Sequence, residues 1–177
     1  YLAPTNNEEL LAMTAYAVHQ HEHPVAIRVP VGEFTSTGVA DTTDYSILNK
    51  SEVTRRGERI ALLGLGNFYH LANQVADELA KEGINATVVN PKFASGLDEE
   101  LLEELKSNHF VVFTLEDGVV EGGWGQRVAS FYGTSDMRVK NYGIAKEFHD
   151  CYDATELLRE NGVSVDQIVS DVKALLN

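Results

Sequence analysis

A loop rich in carboxylates and glycines, Glu116–Gly125, holds the side chains best suited to chemistry. It carries three carboxylates and four glycines and follows the apolar run Phe110–Leu115, which is typical of a parallel strand buried on both faces. Open α/β sheets bind ligands at the carboxyl ends of such strands. Glycines there would let a substrate or a neighbouring subunit come close, but we favour a tight connection in which they satisfy backbone geometry. Trp124 fits an interface anchor and a core residue equally well.

The segment Gly64-Leu65-Gly66 contains the beginning of a dinucleotide-binding fingerprint. Glycines between a strand and a helix let the backbone approach a pyrophosphate at the helix N-terminus. The position of the third glycine is Tyr69, however, and the next strand ends in Asn90-Pro91, where a ribose-binding acid would be expected. The sequence therefore predicts a tight strand-to-helix turn.

Histidines and one cysteine are the remaining chemical candidates. His19, His21 and His23 lie within five residues, but a metal site needs a further ordered ligand and supporting hydrogen bonds, so we interpret them as solvated side chains at a helix end. Cys151 follows a histidine and an aspartate without a nucleophile elbow around it, and we predict a small, partly buried thiol. We assign no catalytic, cofactor-binding or metal-ligating residue.

Alternating strands and helices must position these residues. The order predicts an α/β fold of three layers, with helices on both faces of a mostly parallel sheet. Helices are predicted at 6–19, 68–81, 153–161 and 164–176. One further helix is predicted to begin at Asp98, and another is predicted to end at Phe131. Strands are predicted at 25–29, 59–64, 85–89, 110–115 and 137–142.

Three segments divide the chain. Residues 33–57 are rich in Thr, Ser, Asp and Gly without sustained periodicity, which indicates a linker. Residues 58–177 hold enough strands and helices to fold alone, whereas residues 1–32 offer one helix and one strand, which cannot close a sheet. We therefore expect residues 1–32 to be a docked remnant of another α/β domain, and the chain to come from the inside of a longer protein.

Charge and composition restrict the partners. With 14 Lys and Arg against 27 Asp and Glu, the net charge is −13, which argues against generic binding to nucleic acid or to an anionic membrane. No run approaches the ~18 apolar residues of a membrane span. A single cysteine cannot form an internal disulfide, and we expect a cytoplasmic protein.

Several short motifs occur in an order and spacing similar to those of one enzyme family. The chain resembles the C-terminal part of 1-deoxy-D-xylulose-5-phosphate synthases over nearly its whole length. The matching segments are Leu2-Ala3-Pro4-Thr5-Asn6 with Glu9, Pro24–Gly32, Lys92-Phe93, Leu97–Leu101, Thr114–Asp117, Gly122-Gly123-Trp124-Gly125 and Asn141–Ile144 with Phe148.

The resemblance implies a thiamine-diphosphate-dependent transferase that decarboxylates pyruvate and joins it to glyceraldehyde 3-phosphate, for isoprenoid and thiamine synthesis. In that family, thiamine diphosphate and magnesium lie in the N-terminal domain, and the activating glutamate lies earlier in the middle domain. Residues 1–32 would then be the end of the pyrimidine-binding middle domain, and residues 58–177 the transketolase-type C-terminal domain, which packs the subunits of a homodimer. The implied partners are the missing N-terminal and middle domains, and the fragment alone is expected to be inactive.

Departures from the family pattern concern the acceptor substrate. The synthases carry a phosphate-binding arginine after Arg-x-Pro, where this sequence has Val31, and Arg28 is the only nearby cation able to replace it. Gly96 stands in place of a usual proline, Lys92 in place of a usual arginine, and Ala145-Lys146 in place of Pro-Asp. A synthase-like enzyme with another acceptor therefore stays open.

Other interpretations also stay open. A transketolase half-protein and a beta subunit of a 2-oxoacid dehydrogenase share the same C-terminal fold. An interpretation of another class is a non-enzymatic subunit-binding module.

Overall fold

A five-stranded sheet between two layers of helices forms the centre of the molecule. The computed structural model describes residues 1–176. Its elements are α1 (Asn7–His19), β1 (Glu52–Arg55), β2 (Arg59–Gly64), α2 (Phe68–Lys81), β3 (Thr87–Asn90), α3 (Glu99–Leu105), β4 (His109–Val119), α4 (Trp124–Tyr132), β5 (Arg138–Ile144), α5 (Ala154–Glu160) and α6 (Val165–Leu176). The strand order is β1-β3-β2-β4-β5, and only β1 runs antiparallel to its neighbour. The predicted mostly parallel α/β sheet is confirmed.

Both faces of the sheet are covered, which explains why its central strands are apolar. Helices α2 and α6 bury one face around Phe113 and Leu79, and helices α3 and α4 bury the other around Val112 and Tyr132. Every residue of β2 after Arg59 is buried, as expected for a strand between two helical layers. In the part of the chain that the structure describes, no helix is both long and apolar enough to cross a membrane.

Two strand assignments differ from the sequence prediction. The strand predicted at 25–29 is wrong, because only Ile27 forms an isolated bridge with Leu2. Proline at both ends of this segment, Pro24 and Pro30, supplies no backbone N–H for a ladder. Conversely, β1 lies inside the predicted linker: an edge strand needs no continuous apolar run, and its burial alternates between exposed and half-buried.

A small apolar cluster joins the beginning of the chain to the sheet domain. Leu2, Met13, Tyr45 and Phe93 are buried against one another. Two backbone hydrogen bonds, from Leu2 N to Ala26 O and from Arg28 N to Leu2 O, both 2.8 Å, hold the segment before α1 against the segment after it. The cluster therefore contains side chains from all three predicted segments.

Candidate functional site

A crevice opens at the carboxyl edge of the sheet between β2 and β4. The chain leaves β2 towards α2 on one face and leaves β4 towards α4 on the other face, so the two adjacent strands diverge at this point. Such switch points are where open α/β sheets bind ligands. Gly66, with φ of +59°, makes the turn after β2, and this confirms the tight turn predicted from the sequence.

Glu116 is the buried carboxylate of this crevice and caps helix α4. Only 4% of Glu116 is exposed. Its Oε2 accepts a hydrogen bond from Trp124 N at 2.9 Å, and its Oε1 accepts one from Gly125 N at 2.8 Å. A Cβ at position 123 would lie 2.6 Å from Glu116 Oε1, so Gly123 permits the close approach. The α4 N-terminus, a usual place for a phosphate, is thus occupied by a carboxylate of the chain itself.

Trp124 and the glycines of this loop have structural roles. Trp124 is 6% exposed in the core beneath α4, and its Nε1 donates to Gly96 O at 3.0 Å. Of the two roles left open by the sequence, the core residue is therefore confirmed. The prediction of a tight connection is confirmed as well, because β4 extends through Val119 and the chain then turns at once into α4.

Arg28 lies at the same crevice and is paired with a carboxylate. Its Nη2 is 3.3 Å from Oδ2 of Asp117, and the two side chains are 36% and 43% exposed. Arg28 also lines a cavity of about 10 Å³ together with Gly66 and Asn67. Val31 has no protein neighbour covering its side chain, which is fully exposed. The phosphate-binding role of Arg28 stays a prediction.

A buried lysine after the carboxyl end of β3 is surrounded by three carboxylates. Lys92 is 3% exposed and has a left-handed φ of +60°, which is rare for a residue other than glycine. Its Nζ donates to Thr43 Oγ1 at 2.7 Å. Three carboxylates surround the same atom: Glu52 at 2.9 Å, Glu9 at 3.4 Å and Asp41 at 3.8 Å. We call these residues, with Tyr45 and Asn90, the Lys92 cluster.

The carboxylates of the Lys92 cluster are satisfied by further donors. Glu9 accepts from Thr5 N at 2.7 Å, from Thr5 Oγ1 at 2.9 Å and from Asn90 Nδ2 at 2.7 Å. Asp41 accepts from Thr43 Oγ1 at 2.6 Å and from Tyr45 Oη at 2.5 Å. The cluster is therefore a hydrogen-bonded network.

The network favours the ionised forms of Lys92 and Asp41. Burial alone would lower the pKa of Lys92, but the hydrogen bond to Glu52 and the charges of Glu9 and Asp41 raise that pKa above its ordinary value. Burial opposes ionisation of Asp41, yet hydrogen bonds from Thr43 and Tyr45 and the charge of Lys92 outweigh it, so the Asp41 pKa is lowered. Because Lys92 stays protonated at neutral pH, its amine is not available as a base or a nucleophile.

The Lys92 cluster holds segments together and repels anions. Its members come from residues 1–32, from residues 33–57 and from the strand ends of the sheet domain. Three carboxylates face one ammonium group, so the local charge is negative and does not suit a phosphate. In the sequence, Lys92 belongs to a matching segment and replaces a usual arginine. The cluster around it could not be predicted, because no spacing rule relates positions so far apart.

The other sequence candidates are placed on the surface. His19, His21 and His23 are exposed, as predicted, and His19 Nδ1 lies 2.7 Å from Ala15 O at the end of α1. Cys151 is exposed, so the prediction of a partly buried thiol is wrong. The physical reason is its place in an irregular loop, at φ of +53° among exposed polar neighbours, with no apolar layer to cover it.

The residues of this chain do not fit a magnesium–diphosphate group. Within residues 1–176, no three His, Cys, Asp or Glu side chains are grouped at metal-binding distance. At the carboxyl edge, Arg28, Lys92 and the α4 N-terminus are each engaged by a carboxylate of the chain. A diphosphate needs convergent donors and a cation, and the described residues present neither.

Comparison with known proteins agrees with this geometry. Residues 49–168 match the family model described as "Transketolase, C-terminal domain". The chain is 34% identical over 178 residues to the 1-deoxy-D-xylulose-5-phosphate synthase of Pseudoalteromonas translucida (strain TAC 125), covering 99% of this chain and 28% of that protein. It is 36% identical over 174 residues to that of Desulforudis audaxviator (strain MP104C), covering 95% of this chain and 27% of that protein.

A solved structure is also similar. A chain described as "Split gene transketolase, inactive beta4 tetramer" superposes with a TM-score of 0.73 at 25% identity, covering 98% of this chain and 56% of that one. This chain spans about 28% of the length of the curated synthases that it matches. The resemblance to these synthases is therefore confirmed, and the chain belongs to the family of transketolase C-terminal domains.

Proposed function

We propose that this chain is the C-terminal part of a 1-deoxy-D-xylulose-5-phosphate synthase-like transferase. The observation that carries the proposal is its similarity to such synthases over 95–99% of its length. The transferase would decarboxylate pyruvate and transfer the remaining ketol unit to glyceraldehyde 3-phosphate or a related aldehyde. When bound, thiamine diphosphate supplies the carbanion chemistry.

In this proposal the chain shapes the site, and residues outside it hold the cofactor. Residues 1–32 are the end of a pyrimidine-binding domain. Residues 33–57 are a linker whose last part adds the edge strand β1 to the sheet. Residues 58–177 form a C-terminal domain that packs against a second copy in a homodimer. Thiamine diphosphate and magnesium bind to N-terminal and middle domains that complete the enzyme. The single cysteine, which leaves no internal disulfide, supports a cytoplasmic location.

A second candidate is the C-terminal subunit of a transketolase encoded by two genes. The similar structure described as a split-gene transketolase favours it, since that likeness covers 98% of this chain. The two candidates differ in the ketol donor, which is pyruvate for a synthase and a ketose phosphate for a transketolase.

The choice of donor tests the proposed function. The assembled enzyme, with thiamine diphosphate and magnesium, is given pyruvate or xylulose 5-phosphate together with an aldehyde. We expect release of carbon dioxide from pyruvate that depends on the aldehyde. Ketol transfer from xylulose 5-phosphate without turnover of pyruvate would support the second candidate instead.

Val31→Arg is expected to improve the use of phosphorylated aldehydes. Because Val31 is exposed, an arginine fits without repacking. A charge-assisted hydrogen bond to a phosphate contributes roughly 1.5–3 kcal/mol, so the Michaelis constant for glyceraldehyde 3-phosphate should fall about ten- to a hundredfold, and that for unphosphorylated glyceraldehyde should not change. Val39→Arg is the control, at another exposed valine. A micromolar constant in the parent, with no gain in the variant, would refute the prediction.

Limited proteolysis tests the proposed domain division. The sequence predicts cleavage between Glu33 and Arg56 with a protected fragment of about 120 residues. The structure narrows the expected site, because residues 35–40 are all exposed whereas Tyr45 is buried and β1 is paired in the sheet. Elastase should therefore cut first near Val39. Rapid degradation of residues 58–177, with residues 1–32 resistant, would show that the division is wrong.

A further inference from the structure

The carboxyl edge of the sheet combines cationic side chains with carboxylates that neutralise them. Among the residues that the structure describes, Arg28 supplies the charged side chain that lines the small cavity beside the turn after β2. Its guanidinium contacts Asp117 at 3.3 Å and lies against the β4 backbone, where a Cβ on Gly118 would be 3.8 Å from Nη1. Asp117 thus restrains the guanidinium group that lines this cavity.

The charges beside the cavity give the same indication. A phosphate group would have to displace Arg28 from Asp117 and would then face the Asp117 carboxylate, which is 43% exposed. Like charges at such short range repel each other. An aldehyde that carries only hydroxyl groups meets no such repulsion.

We propose that Asp117 is a positioning residue that holds Arg28 and makes this crevice favour an unphosphorylated acceptor over a phosphorylated one. The proposal rests on the proposed function, in which the acceptor is an aldehyde. It specifies the acceptor further as an unphosphorylated aldehyde. Lys92 does not compensate, because three carboxylates and Thr43 already surround its ammonium group.

Direct binding of a charged and a neutral probe tests the proposal. The 177-residue chain is titrated with glycerol 3-phosphate and, separately, with glycerol, while the amide resonances of Gly66 and Gly118 are followed by NMR. We compare the parent with Asp117→Asn and with the double variant Asp117→Asn/Arg28→Gln. Asp77→Asn is the matched control, because Asp77, on α2, forms an Asp–Arg pair with Arg55 of β1 at 2.6 Å.

Asp117→Asn should bind glycerol 3-phosphate about two- to fivefold more tightly than the parent, because exposed ion pairs of this kind have effects of this size. The double variant should lose that gain, Asp77→Asn should match the parent, and glycerol should not distinguish the variants. A merely structural role of Asp117 would not produce this difference between the two probes.

Equal affinity of the parent and Asp117→Asn for glycerol 3-phosphate, including the absence of binding to both, would overturn the proposal. So would a gain that persists without Arg28. Because binding requires neither cofactor nor turnover, this result is independent of the donor assay. The proposed function can therefore fail while Asp117 is still found to control anion binding, and the reverse outcome is equally distinguishable.

Discussion

Replacing Lys92 by methionine is expected to lower the free energy of unfolding by roughly 3–5 kcal/mol, the usual cost of removing one partner from a buried ion pair. Methionine has a similar length but leaves Glu9 and Asp41 without their cation. For a chain of this size, the loss corresponds to a fall in melting temperature of about 6–20 °C. Thermal unfolding followed by circular dichroism measures it.

The control is the same substitution at an exposed ion pair. Lys146 contacts Glu121 at 2.6 Å, and both side chains are more than 60% exposed. Lys146→Met should cost less than about 1 kcal/mol. Equal melting temperatures for the two variants would show that the Lys92 cluster does not stabilise the fold.

The pH dependence of the Lys92 effect follows from two pKa shifts. The pKa of Lys92 is raised in the folded chain, so its contribution is complete below its unfolded pKa of about 10.4 and is lost as pH rises through the folded value. The pKa of Asp41 is lowered, so its contribution is present above an unfolded pKa of about 3.9 and is lost as pH falls through the folded value. The stability difference between parent and Lys92→Met should therefore be largest between about pH 4 and pH 10.

Glu116→Ala is expected to destabilise the chain by about 2–4 kcal/mol. The substitution leaves the buried N–H groups of Trp124 and Gly125 without an acceptor, and hydrogen bonds to a charged group contribute roughly 1.5–3 kcal/mol each. It also removes a negative charge from the N-terminus of α4, where it interacts favourably with the helix dipole. Part of this loss is offset, because the buried carboxylate no longer has to be desolvated.

A graded series makes the Glu116 prediction specific. Glu116→Gln keeps one acceptor but directs an amide N–H₂ group towards a backbone N–H, so its loss should be intermediate. Glu121→Ala, at an exposed glutamate of the same connection, should have little effect. Denaturant unfolding gives all three values, and a stability of Glu116→Ala equal to that of Glu121→Ala would contradict the capping role.

The central strands and most helices could be predicted because burial leaves a local pattern. β2 is almost continuously apolar since helices cover both of its faces. Asp98 and Asp153 mark helix starts because their side chains accept hydrogen bonds from Leu101 N and Glu156 N. Such signals lie within a few residues of the elements that they define.

The Lys92 cluster and strand β1 lack such local signals. Glu9, Asp41, Glu52 and Lys92 are far apart in the sequence and come together in the tertiary structure. β1 is an edge strand held by its backbone pairing with β3, so the pattern of its side chains does not predict a strand. The sequence did identify Arg28 as a candidate, but its pairing with Asp117 depends on how two distant segments approach each other.

The central claim is that this chain shapes the site while residues outside it bind thiamine diphosphate. Isothermal titration calorimetry of the chain alone with thiamine diphosphate and magnesium tests it most directly, and the same titration of the assembled enzyme serves as the positive control. We expect no saturable heat for the chain alone, because its net charge of −13 and its engaged crevice cations disfavour a diphosphate. A dissociation constant in the low micromolar range for the chain alone would contradict the claim.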